Sequence, residues 1–139
     1  MSNEKNKVIR IIDANYNRAK EALRVCEDVA RFILEKKNLT AKYKRARHDL
    51  TTTLLSFPVS YKKMIIQRDA SGDVGRSSLK LDKKKITQED IFLSNIQRSQ
   101  EAVRVLEEWA KTLSVVSSKK FQRLRFKLYD LEKETIKLF

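Results

Sequence analysis

Cysteine, proline and glycine are nearly missing from this chain of 139 residues, which has one, one and two of them. A lone Cys26 can build neither an intrachain disulfide nor a zinc site. So few backbone breakers, among many Leu, Lys, Glu and Arg, point to long helices. No apolar run approaches the ~18 residues of a membrane span. The opening "MSNEKNKVIR" has no apolar core of the kind a secretory signal needs, so the expected compartment is the cytoplasm. The phosphate-binding pattern G-x-x-x-x-G-K-[ST], the dinucleotide pattern G-x-G-x-x-G, the protein-kinase signatures, HExxH and a Ser-His-Asp arrangement are all absent.

What is present is charge. Lys and Arg number 31 against 18 Asp and Glu, a formal balance of +13, and hydrophobic residues make up 41%. Nucleic acid, an anionic surface and phosphate-rich small molecules are the partners such a balance suits. The lysines of "EKK", "KKM", "DKKK" and "SKK" fall at expected helix ends or in loops, where solvation explains them. The arginines fall largely inside a repeat.

"NRAKEALRVCEDVARF" (17–32) is echoed by "QRSQEAVRVLEEWAKT" (97–112). Asn15, Arg18, Glu21, Ala22, Arg24, Val25 and Glu27 recur as Asn95, Arg98, Glu101, Ala102, Arg104, Val105 and Glu107. Helical spacing joins Ile11, Ile12, Ala19, Ala22, Leu23, Cys26, Val29, Ala30 and Ile33 into one stripe, predicting a helix over about 8–36. Thr40 is a candidate N-cap for a second helix, ended by Phe57-Pro58. Thr87 with Asp90 reads as a capping box for a third, about 88–113, and Ser117 or Ser118 as the cap of a fourth. In that last helix Phe121, Arg125 and Leu128 echo Tyr43, Arg47 and Leu50. The expectation is a single all-α domain over 1–139, made of two duplicated helical hairpins with pseudo-twofold symmetry. Repeat one covers about 8–57 and repeat two about 87–139, with a long central functional loop at about 58–86.

Asn15 and Asn95 fall on the apolar stripes, where an amide needs a partner: each other, a carbonyl or a ligand. Arg18 and Arg98 lie at the stripe's edge, placed either to snorkel outward or to offer a bidentate fork to phosphate. Arg24 and Arg104 read as solvated partners of Glu27 and Glu107, on a face that is also a candidate homodimer surface. His48 is the sole histidine, beside Arg47, and its counterpart is Phe126; half-buried structure and a phosphate contact are its two readings. Cys26 and Trp109, aligned with Leu106 and Val29, read as core. In "RDASGDVGRSS", Gly72 and Gly75 could turn amides toward an anion, with Ser77, Ser78, Arg68 and Arg76 as further donors. Asp69 and Asp73 are candidate magnesium ligands.

Taken together, "RIIDANYNRAKEALRVCEDVARF", "RARHDL", "RDASGDVG", "NIQRSQEAVRVLEEWAK" and "LRFKLYDLEK" resemble, in order and over nearly the whole chain, the hydroxymethylpyrimidine phosphate kinase domain family. This is a small helical unit found at the N-terminus of some thiamine phosphate synthases and sometimes alone. Arg76 stands where that family carries threonine. The resemblance implies ATP- and magnesium-dependent phosphorylation of a pyrimidine phosphate to its diphosphate, a step of thiamine biosynthesis. On that expectation Asn15, Arg18, Arg47, Asn95, Arg98 and Arg125 hold substrate. Gly72, Gly75, Arg76, Ser77 and Ser78 form a phosphate loop, and Asp73, Arg68 and His48 serve the chemistry, with Asp73 and Asp69 on magnesium. The repeat then supplies two phosphate half-sites. A (β/α) barrel needs some 250 residues, so synthase activity is not expected of this chain. Two alternatives remain: a non-catalytic domain that binds a thiamine precursor or partners a synthase, and a nucleic-acid-binding helical module. The glutamates interleaved with the arginines count against the second.

Overall fold

The computed structural model describes residues 3–75 and 86–139, and these are helical without a strand. Helix α1 (Asn3–Asp28) runs into a π-helical turn (Val29–Ile33). It is followed by α2 (Lys37–Leu55), α3 (Tyr61–Ile66), α4 (Gln88–Ala110) and α5 (Val115–Ile136). Helix α1 lies against α2 and, most extensively, against α4, while α5 packs on α4 and α2, so four long helices close a ring around the core.

The apolar periodicity explains the packing. Ile9, Ile12, Tyr16, Ala19, Leu23 and Cys26 are all buried, at the three- and four-residue spacing that keeps one face of α1 inward. They meet Tyr43 and Leu50 of α2, Phe92, Ile96 and Leu106 of α4, and Phe121 and Leu128 of α5. The Tyr43 hydroxyl sits within hydrogen-bond reach of Thr135 Oγ1, so a buried polar tip finds its partner inside the core. Burial raises that phenol's pKa, and it pushes the Cys26 thiol up to about 12.

The ends of the helices depart from expectation in physically readable ways. Helix α2 starts a turn before Thr40. The Thr40 amide and hydroxyl both donate to the Lys36 carbonyl, at 2.9 and 2.8 Å, so its side chain bonds back along the first turn instead of capping it. Ser114 is the cap of α5, its Oγ accepting from the Ser117 amide at 3.2 Å. Ser117 and Ser118 are buried inside the helix, and Ser118 Oγ donates to the Glu107 carbonyl at 2.8 Å, tying α5 to α4. The capping box of α4 forms as read. Asp90 N donates to Thr87 Oγ1 and Thr87 N to Asp90 Oδ2, both at 3.1 Å, and these bonds hold the Asp90 carboxyl below its usual range. Two expected core residues lie further out: Ile33 is 45% exposed, and Trp109, on the outer side of α4, is 39% exposed.

The stretch expected to be one long loop contains α3. Ser60 caps it by accepting from the Lys63 amide at 3.3 Å, and Met64 is buried with Phe57 and Val59 in the main core. Tyr61 meets Tyr16 edge-on, with centroids 5.9 Å apart, which seats α3 on α1. Residues 67–75, which follow, are thereby delivered to the flank of α1.

Candidate functional site

Where that stretch meets α1, an open groove of about 630 Å³ forms, within the range of small-ligand sites. Lys7, Arg10, Asn15 and Arg18 of α1 line one side, and Arg68, Asp69 and Asp73 the other; Asp13, Asn17 and Glu21 also contribute. Five residues singled out from the sequence therefore come together here: Asn15, Arg18, Arg68, Asp69 and Asp73.

One contact organises the groove. Asp13, almost fully buried, accepts from Arg68 twice, Nε to Oδ2 at 2.5 Å and Nη2 to Oδ1 at 2.8 Å. Such a fork across a carboxylate is among the stronger protein hydrogen-bond pairs. It raises the Arg68 pKa, with a lesser push from the Tyr61 hydroxyl at 3.4 Å. Asn17 Nδ2 adds a longer bond to Asp13 Oδ1 at 3.3 Å. Asn15 donates to the Ile11 carbonyl at 2.9 Å and accepts from Arg18 Nη1 at 3.4 Å. Among the described residues Arg10 and Arg18 make no ion pair.

Asp69 and Asp73 face the groove with one oxygen each committed to the backbone. Asp69 Oδ1 accepts from the Gly72 amide and Asp73 Oδ1 from the Gly75 amide, both at 2.9 Å. The two glycine amides expected to point at an anion are thus turned onto the stretch's own carboxylates. A Cβ at Gly72 would displace the Asp69 carboxylate that its amide holds. Among the described residues no three His, Cys, Asp or Glu gather as a metal cage. Arg76, Ser77 and Ser78 lie outside the described residues.

The remaining candidates sit elsewhere. Arg47 bonds Glu27 through Nη2 at 3.2 and 3.3 Å, and Arg125 bonds Glu107 through Nε at 2.8 Å. Both glutamates are almost wholly buried, and Arg24 and Arg104 reach them from the outside at 3.6 and 3.3 Å. Arg24, Glu27 and Arg47 and their counterparts Arg104, Glu107 and Arg125 therefore form two matching clamps, each pinning a helix to its neighbour in the chain. A carboxylate taken out of water needs such partners, so packing accounts for the recurrence of these residues. Asn95 donates to the Ile91 carbonyl at 2.8 Å as Asn15 does to Ile11, so each amide serves its own helix and the two do not bond each other. Arg98 and His48 are exposed on α4 and α2 and do not line the groove.

The groove's distinguishing residues are the ones that do not recur. Eighty positions on, Lys7, Arg10 and Asp13 become Thr87, Asp90 and Leu93, two of which are consumed by the α4 capping box. Among the described residues the second repeat thus lacks counterparts of these three groove residues. Sequence reasoning passed over Lys7, Arg10 and Asp13, although a carboxylate between Ile12 and Tyr16 on an apolar stripe was a usable signal.

The chain is 35% identical over 127 residues to the thiamine-phosphate synthase of Rhodopirellula baltica, covering 91% of this chain and 33% of that protein. It is 36% identical over 136 residues to the thiamine-phosphate synthase of Synechococcus sp. (strain CC9605), covering 91% and 34%. With that of Nostoc punctiforme it shares 32% over 126 residues, covering 90% and 34%. The chain thus spans about a third of the length of these curated relatives. No solved structure matches it. These names correct two expectations. The relatives are called synthases and not kinases, which removes the support for a hydroxymethylpyrimidine phosphate kinase. The exclusion of the synthase name argued from the length of this chain, whereas the name belongs to proteins about three times as long. The model of the ThiD2 family matches residues 10–134, nearly end to end, and the chain belongs to that family.

Proposed function

We propose that this domain is a non-catalytic binding unit for a phosphorylated pyrimidine precursor of thiamine, working with a thiamine-phosphate synthase. The observation that carries the reading is the groove on α1, where Arg10 and Arg18 project without carboxylate partners beside the amide of Asn15 and the fixed guanidinium of Arg68. Arginine forks suit phosphate oxygens, and Asn15, bonded to the Ile11 carbonyl, accepts from Arg18 and so helps to place that fork. Relatives three times as long that bear the synthase name support a role beside that chemistry. The reading needs neither ATP nor magnesium.

Isothermal titration of the purified protein with hydroxymethylpyrimidine monophosphate, in EDTA, tests it. The monophosphate should bind at least about tenfold more tightly than the unphosphorylated alcohol, and Arg18→Ala should remove most of that preference. A folded protein that takes up neither compound at ~1 mM overturns the reading.

A further inference from the structure

Arg68 differs from the other groove cations in being held. Its guanidinium is drawn to Asp13 by two bonds along the Nε–Nη2 edge, and the Tyr61 ring lies 6.0 Å from its centre. Asp13 is 3% exposed, whereas the side chain of Arg68 remains 41% exposed at the groove's wall. The carboxylate is thus an interior anchor and the guanidinium a presented group. With the Nε–Nη2 edge occupied, Nη1 remains as the nitrogen free to donate, and the planar fork fixes its direction.

The geometry points to Asp13 as a positioning residue that sets the groove's preference for a phosphomonoester by holding Arg68 with Nη1 turned to the ligand. This deepens the binding proposal above and rests on it. The placement has a chemical cost and a chemical return. The negative charge of Asp13 weakens the groove's attraction for anions, so a site built on net charge alone would do better without it. A site built on direction does better with it, because a guanidinium already immobilised loses less freedom when the phosphate arrives. The sign of the Asp13 effect therefore separates the two designs. At the Asp13 position of the second repeat stands Leu93, which has no carboxylate with which to hold an arginine.

The experiment compares the monophosphate and the alcohol on wild type, Asp13→Asn, Arg68→Ala, Arg68→Lys and the Asp13→Asn/Arg68→Ala double variant, each checked for folding by thermal melting. Both Asp13→Asn and Arg68→Ala should weaken monophosphate binding by about ten- to a hundredfold while leaving the alcohol unchanged. The double variant should bind no worse than Arg68→Ala alone, because Asp13 acts through Arg68. Lysine at 68 keeps the charge without the fork and should not rescue. Tighter monophosphate binding in Asp13→Asn would overturn the inference, since Asp13 would then be competing with the ligand. So would unchanged affinity in Arg68→Ala, which remains available if the Asp13 variant fails to fold. Loss of the inference in either way leaves wild-type binding intact; wild type that binds neither compound refutes the underlying reading and the inference with it.

Discussion

Replacing Arg125 with alanine strips the buried Glu107 of its shortest partner. The Glu107 side chain is 4% exposed and that of Arg125 is 11% exposed, so water cannot replace the lost bond at 2.8 Å. Removing one member of a buried pair costs about 3–5 kcal/mol. Arg104 still reaches Glu107 at 3.3 Å from the solvent side, which places the expected loss near the lower end, at ~3 kcal/mol. The variant also gives up the Arg125 bond to the Tyr129 hydroxyl and the contact with the Phe126 ring, both exposed and worth little by comparison. Unfolding entropy scales with chain length, and for 139 residues it comes to about 0.3 kcal/mol per kelvin, so the melting temperature should fall by about 10 °C. Arg47→Ala should cost less. Arg47 is more exposed, its bonds to Glu27 are longer, and Arg24 reaches Glu27 as well. Calorimetry or circular dichroism melting reads both. A fall of less than ~3 °C for Arg125→Ala would refute the clamp as a stabilising element, and paired replacement of Glu107 and Arg125 by methionine should recover at least half of the loss.

Cys26 should resist alkylation at pH 8 in the native protein and react at once in denaturant. Because its folded pKa lies near 12, above the ordinary 9, its contribution to stability is full below pH 9 and disappears as pH rises toward 12, which denaturant titrations across that window would record. Thr87→Ala removes one half of the α4 capping box and should cost about 1 kcal/mol, with the Asp90 pKa returning toward its ordinary value by NMR titration. Glu35 adopts a left-handed backbone, φ 52°, just beyond the π-helical turn, so Glu35→Gly should stabilise by about 1 kcal/mol in a urea melt; a loss of stability would show that its side chain is needed.

Much of the frame was legible because it depends on period alone. The α1 stripe, the Thr87 capping box and the end of α2 before Pro58 follow from spacing and local chemistry. Helix α3 was not, since six residues are too few for a period to emerge, and its warrant is tertiary: Met64 reaching the core. The site was half legible. Arg68, Asp69 and Asp73 stood out by composition, and Asn15 and Arg18 by recurrence. Arg47 and Arg125, which the resemblance placed on substrate, pair with buried Glu27 and Glu107 and lie away from the groove. Which arginines are neutralised is a fact about neighbouring helices, and no single-helix projection holds it. The kinase activity came from the resemblance, which the names of the relatives do not support, and the synthase name was set aside by a length argument that does not reach proteins three times as long.

The two clamps also bear on the order in which the chain assembles. Glu27 and Arg47 are 20 residues apart and Glu107 and Arg125 are 18 apart, whereas the α1–α4 interface joins segments some 80 positions distant. Closing a short loop loses less entropy than closing a long one, so each pair of neighbouring helices can find its register before the other pair is in place. Among the described residues the groove borders α1 and the 67–75 stretch, and Arg68 is 55 residues from Asp13, so its walls meet after that local step. A protein folding in this order has its hairpins before its site, and its site before the α1–α4 interface that closes the ring.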